Sequence, residues 1–377
     1  MNQRLDVTKE ELGAFTLPPL IIQGAAFQSG QTYPDKIDYN RHPAYASLIA
    51  SATYQQKFKS LVIFLRYCFI VLIKRTISYE QIPARLRKPK TIADFGHLLI
   101  RSIQHITRLI IPKHNIPMSV KSKQAFNALQ KQGVCVVQPS TDAFQTVANL
   151  AKPIFEQLRL KRSYRCEGNR SFSESRTTAL RTTNEPLFLS VMALLSENGI
   201  IDAVSNYIGR PAEIIDINPQ LNDCSDNFWQ HVFPDLTFEK PATHYCHRDA
   251  SGGDIKAIIY LTDVKIDNGP FSFILGSHRT RPNLIMNFIQ EVNDSCGFSS
   301  TDLISRTHFS ALPACLRVKC AFGNDLLSNS VDARAILAAE WQITESQGHV
   351  VIFDPKGIHR GGMVLYKERA VITCVLA

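Results

Sequence analysis

The sequence has nine cysteines but no CxxC pair, which leaves no paired-cysteine zinc site. The nine are scattered and odd in number, unlike the dense spacing of a secreted disulfide framework. Reduced thiols and a cytoplasmic location are therefore expected. Cys315 and Cys320 read as packing residues rather than ligands. The N-terminal MNQRLDVTKEEL lacks the apolar core of a signal peptide, which argues against export. No apolar run reaches the roughly 20 residues that a helix needs to cross a bilayer. The longest, Leu61 to Ile73, spans 13 residues and is interrupted by Arg66. Repeats, low-complexity tracts and heptads are missing too, so the oligomeric state is left open.

What is present is an ordinary globular composition, 45% apolar and 20% charged over 377 residues, enough for one large elaborated domain or two modest ones. Charge is unevenly spread. Residues 1–131 hold 19 Lys/Arg against 7 Asp/Glu, whereas the remainder holds 23 against 26, so the net charge of +9 belongs to the N-terminal third. Most of the excess lies between Lys57 and Lys113, including Lys74-Arg75 and the cluster Arg85, Arg87, Lys88 and Lys90. Aromatic residues are not interleaved with these charges, which speaks against a nucleic-acid platform. Two placements of Leu61 to Ile73 remain. It is a buried helix with solvated basic flanks, the plainer expectation, or it lies with the cluster to Lys90 on an anionic membrane, making the protein peripherally membrane-associated.

Residues 1–120 read as a helical, basic N-terminal region broken by prolines, and a boundary is expected near 120. A short helix then ends at Gly133 and Val134–Val137 follows as a buried strand. Apolar spacing predicts helices over about 142–160 and 186–208. Short β-branched or aromatic segments predict strands at Glu213–Ile217, Asn227–Phe233, Ile255–Thr262, Phe271–Leu275, His349–Phe353 and Ala370–Leu376. Residues 281–345 read as a partly helical insertion. Strands flanking such an insertion imply a sheet sandwich or open barrel over 121–377 rather than a parallel α/β sheet.

His247-Arg248-Asp249 sets two potential ligands two residues apart, on one face of an extended segment. His359 is the strongest third candidate, reached across the short connection Asp354-Pro355-Lys356-Gly357 from the strand before it. Two histidines and one carboxylate on one triangular face leave three positions open, the pattern of iron(II) oxygenases. Ten residues further on, Arg369 opens the last strand with a guanidinium suited to a dicarboxylate cosubstrate. An HxD alone would read as a surface turn; the combination is what carries information.

The stretch HRDASGGDIKAIIYLTDVKIDNGPFSFILGSHR, with GHVVIFDPKGIHRGG and Arg369 downstream, resembles the phytanoyl-CoA dioxygenase family. The resemblance covers roughly 122–377. It implies an α+β chain with a mainly β core, a double-stranded β-helix (jelly roll, cupin-like) with flanking helices. It also implies iron(II) on His247, Asp249 and His359, 2-oxoglutarate on Arg369, and dioxygen as oxidant. Gln230 matches a position where similar members carry a polar residue near 2-oxoglutarate, against its reading as a satisfied strand amide. Two departures, Gly348-His349 and Gly276, touch loops rather than ligands.

His231, His244 and His278 read as structural hydrogen-bonders, Asn268-Gly269-Pro270 as a turn, and Trp229 and Tyr260 as core or pocket wall. The expected activity is hydroxylation of a C–H bond in a small-molecule or lipid-like substrate, with release of succinate and carbon dioxide. Asp249 occupies the place that halogenases leave open for chloride. A desaturase or epimerase using the same site, and an inactive binding or regulatory protein of the same fold, are the alternatives. The substrate itself is not encoded in these motifs.

Overall fold

The computed structural model describes residues 15–31, 37–74, 116–163, 176–179, 181–224, 233, 235–236, 241–249, 254–280, 284–298, 301–320, 323–327 and 329–377. Along the chain these form β1 (Phe15–Thr16), α1 (Leu20–Ala25), α2 (Ala46–Ser51), α3 (Tyr54–Lys74), α4 (Val120–Gln132), β2 (Val134–Val137), α5 (Thr141–Ser163), α6 (Glu185–Glu197), α7 (Ile200–Ile208), β3 (Ile214–Asp223), β4 (Ile255–Tyr260) and β5 (Phe271–Ile274). They continue as α8 (Leu284–Cys296), α9 (Leu303–Ser310), α10 (Ala314–Arg317), α11 (Val331–Ala338), β6 (Glu340–Ile343), β7 (Val350–Phe353), β8 (His359–Arg360) and β9 (Glu368–Leu376).

Two antiparallel sheets result, ordered β1-β2-β7-β4-β9-β3 and β6-β5-β8. Alternation along the strands decides what each face meets. Ile255, Ala257 and Ile259 of β4 and Ala370, Ile372, Cys374 and Leu376 of β9 point outward into a core shared with α5, α6 and α7. The intervening Ile258, Tyr260 and Val371 point inward, toward Phe271, Phe273, Trp341 and Ile343 of the smaller sheet. The fold is a double-stranded β-helix with flanking helices, in a mixed α+β chain.

Several elements run beyond or short of their expected bounds. The 186–208 helix is two helices, because Asn198 closes α6 with a bond from its Nδ2 to Leu194 O and Gly199 follows at a φ of 69°. β3 extends to Asp223, further than Ile217, since Asn218, Gln220 and Asn222 lie opposite Thr373, Val371 and Arg369 along β9. Their polar side chains and Pro219 mask a strand. β6 lies inside the stretch read as an insertion, which is helical through Ala338 and then returns to the sheet. Of Asn227–Phe233 only Phe233 is described, with a left-handed φ of 56° that does not continue a strand.

The N-terminal segments are knit into this framework. β1 pairs with β2, and Phe27 donates its N–H to Leu275 O at 2.9 Å. Gly276 makes that approach feasible: it has a φ of 77°, and a side chain there would collide with the Phe27 carbonyl. A phenylalanine carbonyl packed at this point accounts for glycine where a proline is frequent in the resembling family. Phe64 and Val71 of α3 enter a second core with Ile289 and Val292 of α8 and Phe309 of α9.

Candidate metal centre

The segment holding His247 pairs back to back with β8: His247 N–H donates to His359 O at 3.0 Å and His359 N–H to His247 O at 2.9 Å. Asp249 N–H donates to Pro355 O at 2.9 Å. Two residues from one extended segment and one from its partner therefore face a common point. One ligand atom from each of His247, Asp249 and His359 lies within 4.8 Å of the others, and among the described residues no other group of three His, Cys, Asp or Glu does so. The turn into His359 is tight. A side chain at Gly357 would run into the Phe273 ring, so the backbone passes close under the smaller sheet.

Both imidazoles are held by their backs. His247 Nδ1 lies 2.7 Å from Tyr245 O and His359 Nδ1 2.9 Å from Gly357 O, so each Nδ1–H donates to a carbonyl and each Nε2 keeps a lone pair. Those Nε2 atoms face the carboxylate, at 3.6 Å from His247 to Asp249 Oδ1 and 3.3 Å from His359 to Asp249 Oδ2. Desolvation within the cluster, then repulsion from His359, pushes the His247 imidazole down to about 4. Burial acts to raise the Asp249 carboxyl, but His359, Lys256 and His247 together outweigh it and hold it well below the usual carboxylate range. The donor set is thus two imidazoles, each with its Nδ1 engaged behind, and one carboxylate anion. Phe353 and Phe271 wall His359, with ring centroids 5.0 and 5.8 Å away.

Three contributors were not singled out from the sequence. Lys256 places its Nζ 2.6 Å from Asp249 Oδ2. It shares the inner face of β4 with Ile258 and Tyr260, and a lone charge of that parity in an apolar strand was the available signal. Tyr245 packs its ring edge-on to His247 at 4.8 Å and holds a left-handed φ of 61°. Its N–H is accepted by Asn324 Oδ1 at 2.6 Å, across 79 residues of chain, for which no local signal exists.

Arg369 lies on the inner face of β9, only 8% exposed, with Nη2 3.4 Å from Asn222 Oδ1. It is close enough to Tyr260 to pull down a phenol that burial pushes up. Tyr260 itself is fully buried and donates to Ile343 O at 3.1 Å, a core role. Gln230, Trp229 and His231 lie outside the described residues. His278 bonds Gln130 O through Nε2 at 3.2 Å, and His244 stands outside the metal-capable group. Cys320 is buried beside Asn293 and Cys315 is exposed; neither joins such a group.

Two imidazole nitrogens and a carboxylate, with their outward partners already engaged, fit the ligand set of non-haem iron(II). Among solved structures the chain is similar to AviO1 from Streptomyces viridochromogenes Tue57, at 15% identity over 69% of this chain and 96% of that one, with a TM-score of 0.40. It is also similar to EctD from S. alaskensis in its apoform, at 14% identity over 71% and 81%, TM-score 0.42. A third similarity is to the non-heme alpha ketoglutarate dependent epimerase SnoN from nogalamycin biosynthesis, at 12% identity over 68% and 82%, TM-score 0.38. No curated protein matches the chain significantly. The profile of the phytanoyl-CoA dioxygenase (PhyH) family matches residues 129–365, which takes in His247, Asp249 and His359 and stops just short of Arg369. The chain therefore belongs to the phytanoyl-CoA dioxygenase family, whose oxygenases use iron(II), 2-oxoglutarate and dioxygen.

Proposed function

We propose that this oxygenase is a hydroxylase, inserting one oxygen atom into a C–H bond of a small-molecule or lipid-like substrate while 2-oxoglutarate goes to succinate and carbon dioxide. In this reading His247, Asp249 and His359 hold the iron, Arg369 grips the distal carboxylate of 2-oxoglutarate, and Gln230 adds a polar contact to it. The observation that carries the reading is the Asp249 carboxylate facing two Nε2 lone pairs. A side chain in that position fills the place a halide would need, so oxygen rather than chloride is delivered.

Bound there, iron(II) supplies the activation of dioxygen, with 2-oxoglutarate as the second reductant. The remaining duties fall to the chain. The carbonyls of Tyr245 and Gly357 fix both imidazole tautomers and keep Nε2 available. Lys256 holds one oxygen of Asp249, which would leave the other available to a bound metal. Phe271 and Phe353 exclude water on the His359 side. Arg369 stays charged although buried and offers two parallel N–H groups to a carboxylate.

Anaerobic reconstitution with iron(II) and 2-oxoglutarate, then a substrate screen scored by succinate and by product mass, tests the proposal. A product heavier by one oxygen atom, formed with one succinate, is expected. A product lighter by two hydrogens, or of unchanged mass, would replace hydroxylation by desaturation or epimerisation. Failure to bind iron at all would leave a binding protein. Within the active enzyme, Arg369→Ala should raise the KM for 2-oxoglutarate about a hundredfold while iron affinity stays unchanged, as expected for loss of a buried charged bidentate contact.

A further inference from the structure

Helix α3 is apolar on two faces, one buried and one exposed to solvent. Phe64 and Val71 are buried against α8 and α9. The opposite side exposes Tyr54, Phe58, Val62, Leu65, Phe69 and Leu72, which recur at three- and four-residue intervals and so form a single stripe along the 21-residue helix. Exposure reaches 92% at Tyr54, 72% at Phe58 and 57% at Leu65. Contiguous patches of that kind are uncommon on a surface that meets only water.

Charge identifies what the stripe meets. The helix contains no Asp or Glu. At 100° per residue, Lys57 falls on one edge of the stripe and Lys59 and Arg66 on the other, so cations border the apolar band on both sides. Next to its N-terminal end opens a groove lined by Ile49, Phe58, Leu61, Leu312 and Pro313, with Lys57 among its walls. An apolar band with basic borders matches the boundary between acyl chains and anionic headgroups. A second copy packed helix on helix would bring the lysines and arginine of α3 against their own kind, with no carboxylate on the helix to offset them. Among the described residues no single helix is long and apolar enough to span a bilayer, so the band suits lying on the surface.

We propose that the exposed face of α3 docks this protein on an anionic lipid surface, with the stripe from Tyr54 to Leu72 entering the interface and Lys57, Lys59 and Arg66 meeting the headgroups. This goes beyond the proposed activity and stands independently of it.

The test is co-sedimentation of the full chain with phosphatidylcholine vesicles, with and without phosphatidylserine, at low and high salt. Retention is expected on the phosphatidylserine vesicles at low salt and should weaken at high salt. The variant F58E/L65E/F69E changes exposed side chains, so it should keep the native circular dichroism and melting temperature, yet lose binding by about tenfold or more. K57Q/K59Q/R66Q should lose about tenfold or more on phosphatidylserine vesicles. Four outcomes overturn the proposal: no retention of the wild type, equal retention on vesicles lacking phosphatidylserine, undiminished retention of F58E/L65E/F69E, or a concentration-dependent dimer that this variant dissociates while vesicles retain nothing.

Discussion

Two clusters built from the same residue types sit at either end of one short chain of contacts. At the sheets, His247, Asp249 and His359 face one another with acceptors only, because each imidazole spends its N–H on a backbone carbonyl. Between the N-terminal segment and the helical insertion, Tyr39 and Tyr45 donate to the two oxygens of Asp325 at 3.0 and 2.9 Å. His42 completes that second cluster: its Nδ1 accepts from Ala44 N–H at 3.1 Å and its Nε2–H donates to Asp325 O at 3.1 Å. Every donor there meets an acceptor. Histidine, aspartate and burial alone therefore do not make a site capable of holding a metal; lone pairs left facing one another do.

Removing the carboxylate from each cluster in turn gives the sharpest separation. Asp249→Ala should lower iron(II) affinity by more than the roughly 100-fold that marks the upper end for outer partners of a metal ligand, and abolish coupled succinate formation. Asp325→Asn should leave iron affinity within about threefold, because its carboxylate is one residue removed from the Asn324 contact and makes none with the ligands. Isothermal titration with iron(II) under anaerobic conditions compares them directly. If Asp325→Asn lost iron as severely as Asp249→Ala, the division between a metal centre and a satisfied structural cluster would fail.

The second contrast is in pH. Burial raises the Asp325 carboxyl to about 7, against the downward pull of its bonds to Tyr45 and Tyr39 and the charge of Arg306. The folded chain thus keeps this proton at pH values where the unfolded chain has released it. Its contribution to stability is fully present below about pH 4, is lost as pH rises toward 7, and is constant beyond. A displacement of that size corresponds to at most about 4 kcal/mol. Denaturant unfolding across that range should show wild-type stability falling relative to Asp325→Asn, which cannot titrate. Parallel curves for the two proteins would mean that folding does not raise this carboxyl.

How much of this was legible in the sequence follows from where information is local. His247, Asp249 and His359 could be read because the extended segment and the short glycine turn fix their directions within a few residues. The strands β4, β7 and β9 could be read because they are short β-branched or aromatic runs bounded by turn residues. The start of β3 was read, but its continuation past Ile217 could not be, since Asn218, Gln220 and Asn222 face inward and resemble a loop. The helix α3 was half legible: apolar residues surround it, and such a pattern reads as burial although one side lies open. Lys256 and Asn324 act through contacts that depend on the assembled sheets and insertion, so their roles appear only in three dimensions.

Asn324 joins the two clusters, and its loss is expected to weaken the site less than loss of the Asp249 carboxylate. It follows Gly323, which has no side chain to hold it off the Cys246 carbonyl, and precedes Asp325, which the two tyrosines anchor. From there its Oδ1 accepts the N–H of Tyr245, a non-glycine residue held at a left-handed φ of 61°. Such a conformation costs of order 1 kcal/mol and persists only where neighbours enforce it. The Tyr245 carbonyl in turn orients His247. Asn324→Ala should therefore lower iron affinity about tenfold, the lower end for a partner that acts through a ligand, and cost about 1–3 kcal/mol for a polar group left unpaired. Asn324→Asp, which can still accept the same N–H, should restore both. Tyr245→Gly separates strain from orientation: it relieves the backbone, yet still places a carbonyl behind His247. If Asn324→Ala weakened stability alone and left iron affinity intact, the insertion would support the site without tuning it.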